Sequence, residues 1–104
     1  MKKLTPTQNK ILLEILSKLN EYKRFNGLED YISFKADYYA SGTWNPKGWE
    51  SYKEICIDLY NKAMQGITTI VAKTETLKVL ESRGFIKVLK WDKRCGDLVQ
   101  VSNF

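Results

Sequence analysis

The sequence predicts a single α+β domain with three main helices and a C-terminal β-hairpin. Three observations carry that expectation. Apolar residues recur at helical spacing in three separate windows. Single glycines stand at the ends of those windows. After Gly84, two short apolar-rich runs flank a polar loop. With 104 residues, 43% of them hydrophobic and 12% aromatic, the chain has material for one core and not for two.

The first helix is announced by Thr5-Pro6-Thr7-Gln8, which has the form of a capping box. Thr5 accepts from the backbone N–H of Gln8, and Gln8 reaches back to Thr5. Pro6 falls at the first helical position, where its missing N–H costs nothing. Ile11, Leu12, Ile15, Leu16 and Leu19 then share one face, so a helix is predicted from Pro6 to Lys23, stopping before Asn26-Gly27.

Residues 28–44 read differently. Ile32, Phe34, Ala36 and Tyr38 alternate with Tyr31, Ser33, Lys35, Asp37 and Tyr39, a strand period that predicts an irregular or short-strand insertion after the first helix. Leu28, Tyr31 and Ile32 would also suit a short helix. Ala40-Ser41-Gly42 reads as a loop, and Asn45-Pro46-Lys47-Gly48 as a type I turn.

A second helix is predicted from Trp49, with Tyr52, Ile55, Cys56, Leu59, Tyr60 and Ala63 on its apolar face and Gly66 as its stop. The third is expected within residues 68–83, capped by Thr68 or Thr69. Ile70, Leu77 and Leu80 form its stripe, and Gly84 follows its end. The closing hairpin runs from Ile86 to Trp91, through a loop from Asp92 to Asp97, and back from Leu98 to Ser102. Gly96 supplies the positive φ that such a loop needs.

Charge is unevenly spread over a net +5. Residues 1–25 carry six lysines and arginines against two acids, residues 26–65 four against six, and residues 66–104 seven against four. Basic ends around a mildly acidic middle suit a polyanionic partner. Catalysis finds little footing. With no histidine there is no His-based triad, base or metal site, and the six glycines form no phosphate loop. Glu50, Glu54 and Asp58 stand in a row at helical spacing, a pattern that usually marks a solvated face. No enzyme activity and no cofactor are expected.

Cys56 and Cys95 form no CxxC pair, which argues against a disulfide scaffold or a zinc site. Cys56 reads as core packing and Cys95 as an incidental thiol. No stretch approaches the roughly 18 apolar residues of a membrane span. The basic start is followed by Thr5, Pro6, Gln8, Asn9 and Lys10 instead of an apolar signal segment. A cytoplasmic protein with no membrane partner is the expectation.

The stretch from Thr74 to Ile86 resembles the winged helix-turn-helix family of DNA-binding domains. Leu77, Leu80, Glu81, Arg83, Gly84, Phe85 and Ile86 match the family's pattern of two leucines, an acidic-polar-basic run, glycine and two apolar residues entering the wing. Leu4-Thr5-Pro6-Thr7-Gln8 with Ile11-Leu12 is similar to the helix preceding the motif in MarR-type regulators. The resemblance implies a winged-helix-like fold and a small DNA-binding transcriptional regulator. In such a protein a recognition helix enters the major groove while the wing reaches phosphate or the minor groove.

On that reading Thr69, Lys73, Thr76 and Lys78 are the helix positions placed near double-stranded DNA, and Lys90, Lys93 and Arg94 the wing positions. Two-fold DNA sites make a homodimer the usual form. The plainer reading of these lysines is a solvated surface that favours solubility. The alternative function is a winged-helix interaction module that binds a protein partner through the aromatic segment 31–49, because this fold does not oblige DNA binding.

Overall fold

The computed structural model describes residues 3–40 and 46–102. They form four α-helices and one three-stranded antiparallel sheet. In chain order these are α1 (Pro6–Tyr22), α2 (Leu28–Ala40), α3 (Pro46–Met64), β1 (Ile67–Ile70), α4 (Thr74–Ser82), β2 (Ile86–Lys90) and β3 (Asp97–Val101). The sheet order is β1-β3-β2, so β3 lies between two edge strands.

The start of α1 follows its sequence signal. Thr5 Oγ1 accepts from Gln8 N at 3.2 Å, and Thr5 N donates to Gln8 Oε1 at 3.0 Å. Leu12, Ile15 and Leu19 are buried on its inner face. They meet Ala63, Ile70, Leu77, Leu80, Ile86 and Val99 in the main core. Each of these larger aliphatic side chains contributes on the order of 1.5–3 kcal/mol by leaving water.

The segment predicted as extended is instead helix α2. The alternation misled because its supposed polar register also held Tyr31 and Tyr39. Leu28, Tyr31 and Ile32 pack inward at helical spacing, while Phe34 and Tyr38 are exposed. Glu29 and Asp30 lie in the first turn, where a helix N-terminus favours negative charge, and Asp30 Oδ2 accepts from Asn26 N at 2.9 Å. Tyr31, Cys56 and Tyr60 form a second core with Tyr22, Phe25 and Tyr52 packed around it.

The turn expected at 45–48 gives way to the start of α3 at Pro46; Ser41, Trp44 and Asn45 lie outside the described residues. Proline is well placed at a first helical position. Ile55 and Leu59, assigned to the apolar face of this helix, are exposed.

A second correction concerns residues 67–71. Thr68 and Thr69 cap no helix; they belong to β1 and pair with Val99 and Leu98 of β3. The run Ile67-Thr68-Thr69-Ile70-Val71 is β-branched throughout, and such side chains favour a strand. The expected helix of 68–83 is therefore the shorter α4. Lys18 Nζ reaches from α1 to donate to Thr69 O at 2.9 Å.

The exit from α4 agrees with the sequence reading. Gly84 has φ +81, Gly84 N donates to Glu81 O at 3.0 Å, and Phe85 N donates to Leu80 O at 3.0 Å. This is the Schellman arrangement, and it turns the chain directly into β2. Ile86 enters the core, whereas Phe85 stays substantially exposed. Glu81 Oε2 also accepts from Val88 N at 2.7 Å, tying α4 to β2. A bulge between Val88 and Lys90 interrupts the β2–β3 register.

Candidate nucleic-acid interface

The loop from β2 to β3 is ordered by two aspartates. Asp92 Oδ1 accepts from Arg94 N at 2.9 Å and Cys95 N at 3.2 Å, a local turn that holds the Asp92 carboxyl below its ordinary pKa. Asp97 Oδ1 accepts from Asp92 N at 2.7 Å, closing the loop at its base. Asp97 is only 1% exposed, and it lies opposite Ile70 in the β1–β3 register.

Lys93 joins this loop to the approach of α4. Its Nζ forms an ion pair with Asp97 Oδ2 and donates to Ala72 O at 3.1 Å. It also lies 5.4 Å from the centroid of the Trp91 ring. A buried carboxylate needs a paired and hydrogen-bonded partner, and Lys93 supplies one. Although 53% of its side chain is exposed, its ammonium is engaged three ways.

The structure brings some of the sequence-derived site residues together and separates others. Lys73 is exposed and extended immediately before α4, with φ −65 and ψ 139, and its side chain makes no capping hydrogen bond. It follows Ala72, the residue Lys93 holds, so Lys73, Lys93 and the exposed Arg94 share one end of the molecule. Lys90 is exposed at the end of β2, next to the same loop. Thr76 is half-buried on α4, while Lys78 is exposed further along it, with Glu75 also exposed on this helix. Thr69 is not on the helix. It pairs within the sheet and binds Lys18, so its placement beside Lys73 on a recognition helix is corrected.

Sequence reasoning used Asp92 and Asp97 only as the bounds of the loop. An aspartate opening a hairpin loop is a recognisable turn signal, and Asp92 could have been found that way. The Lys93–Asp97 pair depends on burial of Asp97 between strands, which composition does not reveal.

Within the aromatic segment Tyr31 lies in the second core, whereas Phe34 and Tyr38 are exposed. Tyr31 stacks on Tyr60 at 5.4 Å, and Tyr39 stacks on Tyr52 at 5.3 Å and meets Trp49 at 5.6 Å. Burial raises the phenol pKa of Tyr22, Tyr31 and Tyr52, since the charged phenolate is disfavoured away from water. Glu50, Glu54 and Asp58 are exposed, and Asp58 pairs with Lys62 at 3.0 Å. No group of three histidine, cysteine or carboxylate side chains that could hold a metal occurs among the described residues. Nor is any helix among them long and apolar enough to cross a membrane.

No family model, curated protein or solved structure matches the chain.

Proposed function

We propose that this protein is a small winged-helix DNA-binding regulator, with α4 as its recognition helix and the β2–β3 hairpin as its wing. The observation that carries the reading is the Lys93 bridge from the hairpin loop to Ala72 O. It keeps the loop beside the N-terminal end of α4, so a groove-entering helix and a phosphate-reaching loop can address one duplex. Lys73, Lys90 and Arg94 are the cations offered to phosphate, and Thr76 and Lys78 lie along the helix. Lys93 acts as the support that holds the wing. The sheet order β1-β3-β2, with the hairpin at its end, suits the same reading.

The test is fluorescence anisotropy with random-sequence duplex DNA at low and moderate salt. The Lys73→Ala/Lys90→Ala/Arg94→Ala variant is run beside the wild type. Binding is expected to be salt-sensitive. The variant should lower the slope of log affinity against log salt by roughly 2–3, since each phosphate contact contributes about 0.9. Absence of binding at low salt, or an unchanged slope in the variant, overturns this assignment.

A further inference from the structure

The β2–β3 loop carries an aromatic side chain that phosphate contact does not use. Trp91 directly follows β2 and is 43% exposed. Its place is nevertheless fixed. Lys93 Nζ lies over the indole, 5.4 Å from the ring centroid, and the same ammonium is held by Asp97 Oδ2 and Ala72 O. Just before Trp91, the bulge between Val88 and Lys90 interrupts the ladder, and such bulges re-aim the side chains beside them.

The charges around this ring are sorted by sign. Lys90 and Arg94 flank it in the chain, and both are exposed. The two acids of the loop are engaged internally. Asp92 accepts from the backbone of Arg94 and Cys95, and Asp97 is buried against Lys93. The loop therefore offers a flat π surface with cations on either side. An acidic peptide would use the cations and leave the ring idle. A nucleotide whose base is out of the stack presents both a phosphate and a flat aromatic face. In a fully paired duplex each base is already stacked on its neighbours, so the ring has no face to meet.

Resting on the DNA reading, we infer that Trp91 is a base-stacking residue and that the wing selects duplex DNA at a place where a base is unpaired. The base lies on the indole face opposite Lys93, and Lys90 and Arg94 meet the flanking phosphates. Lys93 is the support of this arrangement, since it ties the ring to Asp97 on one side and to Ala72, before α4, on the other. Helix α4 then addresses the paired segment while the ring meets the unpaired base beside it. Every base has a π face, so the selection is for DNA structure and not for sequence.

The test compares a fully paired duplex with the same duplex carrying a bulge of unpaired thymidines, by fluorescence anisotropy on the full chain at low salt. The wild type should bind the bulged duplex about ten-fold more tightly. Trp91→Leu keeps apolar bulk but loses the π face. It should bind both duplexes alike, with the slope of log affinity against log salt unchanged. Trp91→Phe should keep most of the preference. Indole emission of the wild type should be quenched more by the bulged duplex than by the paired one. Trp91→Phe should remove that difference, although Trp44 and Trp49 remain. Circular dichroism confirms that each variant is folded, and if Trp91→Leu is not, Trp91→Phe and the quenching decide. Equal binding of the two duplexes by the wild type, or a preference that Trp91→Leu retains, overturns the inference and leaves the DNA reading standing. Failure to bind either duplex at low salt overturns both.

Discussion

The two cores of this protein are built from different materials. Around α1, α4 and the sheet, aliphatic side chains interlock, and specific hydrogen bonds fasten the elements: Lys18 to Thr69, Glu81 to Val88, Lys93 to Ala72. Around α2 and α3, tyrosine and phenylalanine rings stack across a helical hairpin. Tyr22, at the end of α1, touches both. The first region draws its segments from across the chain and can hold a fixed geometry. The second is local in sequence and rests on few buried groups, so it is the part expected to open first.

Removing Tyr31 should break this contrast most strongly. Its ring is in contact with Tyr22, Phe25 and Tyr60, and Tyr31→Ala should cost about 3–4 kcal/mol, as truncation of a buried aromatic does. Hydrogen exchange should show lost protection in α2 and α3 with protection retained in α1 and β3. Uniform loss throughout the chain would mean that the two cores fold as one unit.

A smaller effect separates two neighbouring cations. Lys93→Met strands the Asp97 carboxylate in a buried position and should cost about 2 kcal/mol in urea unfolding. Arg94→Ala should stay within about 0.5 kcal/mol of wild type, because an exposed surface change away from core features is usually neutral. Equal effects would remove the distinction between a supporting lysine and a solvent-facing arginine.

The smallest expected effect concerns pH. The raised pKa of Tyr31 means that the folded state keeps its proton when an unfolded tyrosine, near 10, begins to lose it. That stabilisation is complete below about pH 10 and declines above it, so the aromatic hairpin should loosen first in alkali. Tyrosinate absorbance at increasing pH should show a late phase that coincides with loss of helical signal from α2 and α3. Tyr31→Phe should remove that phase while leaving the sheet unaffected.

How far the sequence could be read follows the same division. The start of α1 was legible because a capping box and a proline are local signals. The end of α4 was legible because Gly84 and the two leucines are equally local. Helix α2 was hidden because tyrosines occupy both registers of an apparent alternation, so period alone could not separate strand from helix. Strand β1 was missed because Thr68 and Thr69 were weighed as caps while the β-branched run around them was overlooked. Of the residues proposed to meet DNA, Lys73, Lys90 and Arg94 are exposed, as a surface site requires. The engagement of Lys93 was not legible, because it depends on a carbonyl 21 residues away. The exposure of Ile55 and Leu59 was equally hidden: their spacing suits a core face, and only the position of α2 shows that the face is turned outward.

The contact between Lys18 and Thr69 reaches beyond the fold itself. An edge strand presents open backbone groups to which a foreign chain can add by strand pairing, the usual route to β-aggregation. On β1, the ammonium of Lys18 occupies one of those carbonyls. On β2, the opposite edge, Lys87 and Lys90 and the intervening bulge disturb the flat ladder that an incoming strand would need. Both borders of this small sheet are thus guarded against template growth.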